Sequence, residues 1–281
     1  RAYCPWIDME EQMRNSNTPL WGLESGRVLS DFDVVGFTLQ YELTSTNILT
    51  MLDLGGIPLR SADRKEESPL VFAGGPGALA PEPLAPFIDV FCVGDGEVLL
   101  PGALQLLSEM KGSSRRERLK ALAALPGFYV PEFPPAEAVR RQIISDPDTS
   151  FLHTQMIVPN TSIVHDRVAV QVFRGCARGC RFCQAGMTER PMRERGADSV
   201  IAQIDALLQY SGLDEVGLLS LATCDWRPRE TVIEKLSPML SERKIKLSLP
   251  SLRMDSFSVE LAAGLESLRR GGLTFAPEAG S

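Results

Sequence analysis

The chain has 281 residues, 44% of them hydrophobic and 23% charged, and a formal net charge of −7. This composition is typical of a globular protein with one or two cores, and its acidic balance argues against a broad nucleic-acid-binding surface. It has no run of 18 apolar residues, so no membrane span is predicted. Six cysteines at this length do not form a disulfide framework and favour a reducing, cytoplasmic compartment. Because the chain has no initiating Met and no terminating feature, we expect a fragment of a longer protein.

The first 110 residues alternate predicted strands and helices. Apolar runs predict buried strands at 33–39, 70–73 and 90–93. Periodic apolar segments predict helices at 46–54 and 98–110. This alternation predicts a doubly wound parallel sheet in an α/β domain, residues 1–110.

Two glycine-rich segments follow strands of this predicted sheet. They are Gly74-Gly75-Pro76-Gly77 and Gly94-Asp95-Gly96-Glu97. Ligands of such sheets bind beyond the carboxyl ends of the strands, where these segments would lie, although tight turns alone also explain them. Neither a G-x-G-x-x-G motif nor a P-loop is present, so a dinucleotide or a nucleoside triphosphate is not favoured.

Residues 111–167 read as a connector between two domains. A polar break at Lys111–Arg116 leads into a predicted short helix, 118–125, and a predicted strand, 127–131, before Pro134-Pro135. Proline-rich, weakly periodic sequence suits an ordered connector. Both histidines, His153 and His165, lie here without a cluster, which favours a surface or hydrogen-bonded role over metal ligation.

Three cysteines fall within eight positions, in the spacing C-x₃-C-x₂-C. They are Cys176, Cys180 and Cys183, directly after the apolar run 168–173. Gly175 and Gly179 allow tight turns between the sulfurs. Close thiolates suit iron–sulfur or zinc, and three rather than four predict a site with an open position. We expect the remaining cysteines to be small buried residues, Cys224 less firmly than Cys4 and Cys92.

A regular β/α pattern follows the cysteines. Helices are predicted at 198–210, 228–240 and 258–270, and strands at 215–221, 245–249 and 273–276. Together with the strand before the cysteines, they predict a partial β/α barrel over residues 168–281. Barrel chemistry lies at the carboxyl ends of strands, which gathers four segments at one mouth: Cys176–Cys183, Ser220–Trp226, Ser248–Asp255 and Ala276–Ser281. Glu278 is either a site acid or a carboxylate at a helix N-terminus.

The cysteine spacing, with Phe182 directly before Cys183, resembles the signature of the radical S-adenosylmethionine (SAM) superfamily. The resemblance implies that Cys176, Cys180 and Cys183 hold a [4Fe–4S] cluster whose fourth iron is chelated by SAM. It further implies reductive cleavage of SAM to methionine and a 5′-deoxyadenosyl radical, with a reductant such as flavodoxin or ferredoxin. The family's Gly-Gly-Glu segment is replaced by Ser220-Leu221-Ala222-Thr223. Candidate SAM contacts are Phe182, Ser220, Thr223, Ser248, Arg253 and Glu278.

The first half resembles the B12-binding-type domain that precedes many radical SAM barrels. The resemblance rests on Gly74-Gly75-Pro76 and Gly94-Asp95-Gly96-Glu97, and it extends through Val164-His165-Asp166-Arg167 and Leu249–Arg253. It implies a cobalamin-type site at Gly74, Gly75, Gly94, Gly96 and Glu97. The D-x-H-x-x-G motif that supplies a histidine to cobalt is absent, so cobalamin would need another lower ligand or none.

Two alternatives stay open at this point. A MiaB-like methylthiotransferase acting on RNA would require a second cysteine triplet, which this sequence lacks. The second alternative is a non-catalytic iron–sulfur or zinc module. A zinc ion would need a fourth ligand, and Cys224 would supply it. Arg174, Arg178 and Arg181 either offset the cluster's negative charge or are solvated. The substrate, small molecule or macromolecule, is not identified by the sequence.

Overall fold

The computed structural model describes residues 1–250, 252–254, 269–270 and 275–277, and only the backbone of 269–270. The chain divides into two compact units, Arg1–Ile144 and Ser145–Ser281. Each unit has its own sheet and hydrophobic core.

The first unit is built on a four-stranded sheet in the order β1-β2-β3-β4. β1, β2 and β3 are parallel, and β4 pairs antiparallel with β3 at the edge. The elements, in chain order, are α1 (Ile7–Asn15), β1 (Val34–Thr38), α2 (Ser45–Leu54), β2 (Leu70–Gly74), β3 (Val90–Cys92), α3 (Gly96–Glu109), α4 (Arg115–Ala123) and β4 (Phe128–Tyr129).

Both faces of this sheet are covered, as a run of continuously apolar strand residues requires. Val71 and Ala73 of β2 join one core with α2, while Leu70 and Phe72 of the same strand join the other core with α3 and α4. Successive side chains of a strand point to opposite faces, so β2 serves both cores at once. The predicted α/β class of this half is confirmed.

Helix α4 begins three residues before the predicted start. Ser114 caps it: its hydroxyl accepts from the Glu117 N–H, and the Glu117 carboxylate accepts from the Ser114 N–H. This capping box satisfies two backbone donors of the first turn and places the start of the helix at Arg115. Helix α4 and strand β4 therefore bring part of the predicted connector into the first unit.

The second unit contains a four-stranded parallel sheet, β11-β9-β8-β5, and two small two-stranded sheets, β6-β7 and β10-β12. Its elements are β5 (Val168–Gln171), β6 (Phe173–Arg174), α5 (Ala185–Thr188), β7 (Arg193–Glu194), α6 (Ala197–Ser211), β8 (Glu215–Leu219), α7 (Arg229–Glu242), β9 (Lys246–Ser248), β10 (Leu252–Arg253), β11 (Arg269–Arg270) and β12 (Phe275–Ala276). The four strands of the larger sheet are parallel, and their order in the sheet follows their order along the chain. Consecutive strands of a β/α barrel have this arrangement.

Helices α6 and α7 cover one face of this sheet. Val168 and Val170 of β5 are buried against helical residues such as Ile204 and Leu236. Ala169 and Gln171 are exposed on the opposite face, which faces the interior in a closed barrel. The sheet thus buries its helical side and leaves its inner side accessible at β5.

The structure corrects two details of the predicted second half. Arg269 and Arg270 were predicted to end a helix, but they pair with Lys246 and Leu247 as strand β11, because pairing at a sheet edge outweighs local helix propensity. Phe275–Ala276 is a strand as predicted, yet it pairs with Leu252–Arg253 in a separate sheet. Residues 258–268 of that predicted helix lie outside the described residues. Among the described helices, none is long and apolar enough to cross a membrane.

Candidate functional site

The cysteine loop leaves the sheet through a small hairpin. β6 directly precedes the loop and pairs antiparallel with β7, so the ends of the loop are held together. Gly175 has a φ of 82°, and a Cβ there would lie 2.5 Å from the carbonyl oxygens of Glu189 and Pro191. Gly179 has a φ of 72°. Both glycines are therefore required by the backbone path of the loop, as the sequence predicted.

Each of the three sulfurs accepts a hydrogen bond. The Arg178 N–H donates to Cys176 Sγ at 3.5 Å, and the Gly186 N–H donates to Cys183 Sγ at 3.3 Å. Arg253 Nη1 donates to Cys180 Sγ, also at 3.5 Å. Hydrogen bonds to the sulfurs are among the contacts that support cysteine ligands of iron–sulfur clusters. Cys176 is buried and the other two are half-buried.

This donor set fits a [4Fe–4S] cluster. Three thiols on one glycine-containing loop, each supported by a hydrogen bond, are the ligand type and support that such clusters use. No group of three His, Cys, Asp and Glu side chains among the described residues is close enough to share one metal ion. A cluster does not need such convergence, because each thiolate binds a different iron.

The loop after β8 contacts the cysteine loop through an ion pair. Arg178 Nε donates to Asp225 Oδ2 at 2.7 Å, and Arg178 Nη2 pairs with Asp225 Oδ1. The fork of the guanidinium thus engages both oxygens, a geometry with high directional specificity. This loop is one of the predicted barrel-mouth segments. Asp225 was not itself a predicted site residue, and its only sequence signal is a carboxylate in that segment.

A hydroxyl pair joins the loops after β8 and β9. Ser220 Oγ and Thr223 Oγ1 lie 2.8 Å apart, and Thr223 Oγ1 donates to the Pro250 carbonyl at 2.7 Å. Three residues beyond Pro250 lies Arg253, which reaches Cys180. Three of the predicted mouth segments are therefore connected by side-chain contacts: the cysteine loop, the loop after β8 and the loop after β9.

The remaining candidate SAM contacts are placed differently. Phe182 is 73% exposed next to Cys183. Ser248 is level with Gly217 in the middle of β8 and accepts from Arg167 Nη1 at 3.0 Å, so it lies within the sheet and below its carboxyl edge. Arg167 also donates to Glu215 at 2.9 Å. Glu278 lies outside the described residues.

Cys224 and the two histidines, which were not predicted to hold the cluster, make contacts elsewhere in the second unit. Cys224 is buried in the core of the second unit. His165 Nδ1 lies 2.7 Å from Arg167 Nη2, and the His153 carbonyl accepts from Gln203. Both histidines belong to the second unit.

Glycines at the carboxyl edge of the first sheet make close contacts within their own unit. Gly75 has a φ of 90°, and a Cβ there would lie 3.1 Å from the Leu39 carbonyl. A Cβ at Gly94 would lie 1.9 Å from the Gln142 carbonyl oxygen. The Gln142 carbonyl in turn accepts from the Asp95 N–H. Tight packing accounts for Gly75 and Gly94, and the predicted cobalamin-type role of this edge stays a prediction.

Comparison with known proteins supports the class that the cysteine motif indicated. Residues 1–131 match the family described as Radical SAM proteins, N-terminal. Uncharacterized protein MJ0966 of Methanocaldococcus jannaschii is 25% identical over 274 residues, which are 95% of this chain and 54% of that protein. Anaerobic magnesium-protoporphyrin IX monomethyl ester cyclase of Cereibacter sphaeroides is 30% identical over 139 residues, 49% of this chain and 22% of the cyclase.

The fold resembles a solved radical SAM methyltransferase, TsrM from Kitasatospora setae. Its structure with cobalamin and a [4Fe–4S] cluster superposes with a TM-score of 0.56 at 14% identity, covering 93% of this chain and 49% of TsrM. A second TsrM structure, with tryptophan and the SAM analogue aza-SAM, gives a TM-score of 0.55. The predicted resemblance to radical SAM proteins is confirmed. The chain spans about half the length of MJ0966 and of TsrM, and less of the cyclase.

Proposed function

We propose that the protein containing this chain is a radical SAM enzyme whose cluster is held by Cys176, Cys180 and Cys183. The observation that carries the proposal is the hydrogen-bonded set of three sulfurs on one loop, at the carboxyl side of a parallel β/α sheet. Bound there, a cluster reduced by an external donor would supply the electron that cleaves SAM to methionine and a 5′-deoxyadenosyl radical.

The chain's own residues hold and orient the cofactors in this proposal. Gly175 and Gly179 shape the loop, while the hydroxyls of Ser220 and Thr223 pair with each other in the loop after β8, which the Arg178–Asp225 pair connects to the cysteine loop. Phe182, being exposed, is available to cover a bound adenosine by stacking. Flavodoxin or ferredoxin, as a low-potential donor, is the proposed electron source, and the substrate and later reaction are left open.

Anaerobic reconstitution of the full-length protein tests the proposal. We expect about four irons per chain and dithionite-dependent release of 5′-deoxyadenosine from SAM. Cys180→Ala should abolish release of 5′-deoxyadenosine and lower iron binding, because one of three ligands is lost. The matched control is Cys4→Ala, in the first unit, which should leave both unchanged. Stoichiometric zinc without iron in the wild-type protein would refute the proposal.

A cobalamin-assisted reaction is a second proposal. It is supported by the likeness to TsrM, which was solved with cobalamin bound, and by the glycine segments at Gly74-Gly75 and Gly94–Glu97. Both histidines lie in the second unit, so the first unit supplies no imidazole to cobalt. The absorbance spectrum of full-length protein reconstituted with hydroxocobalamin and then desalted tests this. Retained cobalamin supports it, and complete loss of the corrinoid bands contradicts it.

A further inference from the structure

Arg253 approaches the cluster loop from the segment that follows β9. Its Nη1 donates to Cys180 Sγ at 3.5 Å, which is within hydrogen-bonding range for sulfur, and its side chain is half-buried. The other two sulfurs receive backbone N–H groups, which are neutral donors. Cys180 is therefore the sulfur with a cationic donor among these three contacts.

A cationic donor acts on a cluster ligand in a definite direction. Reduction adds an electron and makes the cluster more negative, and a nearby guanidinium stabilises the more negative state more strongly. Hydrogen bonds to the sulfurs and local charge are among the terms that set cluster potentials. Partial burial strengthens the effect, because the local dielectric constant is lower than that of water.

The position of Arg253 is fixed by neighbouring contacts. Strand β10 pairs with β12 in register, with Arg253 opposite Ala276. Three residues before Arg253, the Pro250 carbonyl accepts from the Thr223 hydroxyl at 2.7 Å. Strand pairing at Arg253 and this hydrogen bond at Pro250 both help to position the guanidinium.

We infer that Arg253 is a positioning and tuning residue that raises the reduction potential of the cluster through its hydrogen bond to Cys180. This inference rests on the proposed function and deepens it. It gives Arg253 a role on the cluster itself, in place of the SAM contact suggested by the sequence.

Redox titration of the reconstituted full-length protein, followed by electron paramagnetic resonance, tests this role. In Arg253→Gln we expect iron content close to wild type and a lower potential, with the ratio of reduced to oxidised cluster about tenfold lower at a fixed solution potential, equal to ~59 mV for one electron. Arg253→Lys retains the charge and should fall between the two. The matched control is Arg243→Gln, which removes an arginine of the same unit that pairs with Asp205; its potential should equal that of the wild type.

The outcomes separate this inference from the proposed function. If Arg253→Gln binds iron and keeps the wild-type potential, the tuning role is wrong, whatever happens to SAM affinity. If Arg253→Gln fails to bind iron, Arg253→Lys decides: a lowered potential supports the role, and an unchanged potential overturns it. If the wild-type protein binds no iron, the proposed function itself fails.

Discussion

Burial gives the cysteines of this chain different chemistry. Cys92 lies at the end of β3 inside the first unit, and burial raises the pKa of its thiol to about 12. Cys180 and Cys183 are half-buried and accept hydrogen bonds at sulfur. A thiol reacts as the thiolate, so we expect the Cys92 thiol to be unreactive towards alkylating reagents. The half-buried sulfurs of Cys180 and Cys183 are accessible to such reagents.

Alkylation of iron-free protein with iodoacetamide at pH 8 should therefore discriminate among them. We expect labelling of Cys180 and Cys183, and no labelling of Cys92 until urea exposes it and returns its pKa to the ordinary thiol range. Peptide mass spectrometry reads out each site. Native labelling of Cys92 at the rate of Cys183 would contradict the buried, high-pKa environment.

Asp89 is the centre of a buried ionic network in the first unit. Its carboxylate accepts from Arg64 at 2.8 Å, from Arg115 at 2.6 Å and from the Val71 N–H at 2.7 Å. Ser61 donates to the other oxygen. Burial lowers the pKa of Arg64, and Asp89 is the group that opposes this effect. The network links residues far apart in sequence, and no local motif announces it.

Asp89→Asn should destabilise the protein by about 3–5 kcal/mol, because two buried guanidinium groups lose their counter-charge. Equilibrium urea denaturation measures the change. Glu132→Gln is the control, since it removes one partner of the exposed Arg116–Glu132 pair and should cost at most about 1 kcal/mol. Equal effects of the two substitutions would show that the network is not buried as described.

At the scale of elements, the turn after β3 depends on a glycine because another segment packs directly against it. Gly94 has a φ of 142° and lies directly against the Gln142 backbone, with which its neighbours exchange hydrogen bonds. The Gly94–Gln142 bridge fixes residues 140–144 to the end of β3. The sequence indicated a turn here, whereas the segment that packs on it is 48 residues away and could only be found in the fold.

Gly94→Ala should lower the free energy of unfolding by about 3 kcal/mol or more, because a Cβ overlaps a backbone carbonyl. Gly102→Ala is a matched control for which we expect the free energy of unfolding to change in the opposite direction. It lies exposed in α3 with nothing within 4 Å of a Cβ, so Gly102→Ala should stabilise the protein by about 1 kcal/mol. Thermal unfolding of both variants measures the difference, and destabilisation by Gly102→Ala would contradict the expectation.

At the scale of the whole molecule, each hydrophobic core among the described residues lies within one of the two units. The two cores on the first sheet are formed by residues between Ala2 and Phe133, and the third core by residues from Met156 onward. A unit with its own sheet and covered faces meets the usual requirement for independent folding.

Residues 1–144 expressed alone should therefore fold cooperatively. We expect a single sigmoidal urea transition by circular dichroism, with helical signal from α2, α3 and α4. A fragment ending at residue 110 is the comparison. It lacks α4 and edge strand β4, and should lose cooperativity because the face that α3 and α4 cover together is left partly uncovered. A non-cooperative transition for residues 1–144 would contradict independent folding.

Local chemistry allowed much of this protein to be predicted from sequence. Glycines beside the cysteines, the spacing of the sulfurs and the alternation of apolar strands with amphipathic helices are short-range signals. They predicted the loop, a ligand set for iron–sulfur or zinc and the α/β fold, and the resemblance to radical SAM proteins added the cluster and SAM. Prediction of secondary structure failed where the structure depends on contacts between residues that are distant in sequence. Arg269 and Arg270 became a strand because a sheet edge lay beside them.

The cysteine motif by itself determined which atoms are available to hold a cluster, because three thiols in eight residues are close in any compact conformation of the loop. Only the tertiary structure decided what surrounds them. Asp225 on Arg178 and Arg253 on Cys180 are brought to the loop by separate strand–loop segments. Such contacts depend on the parallel order of the strands, which places the ends of sequence-distant segments side by side.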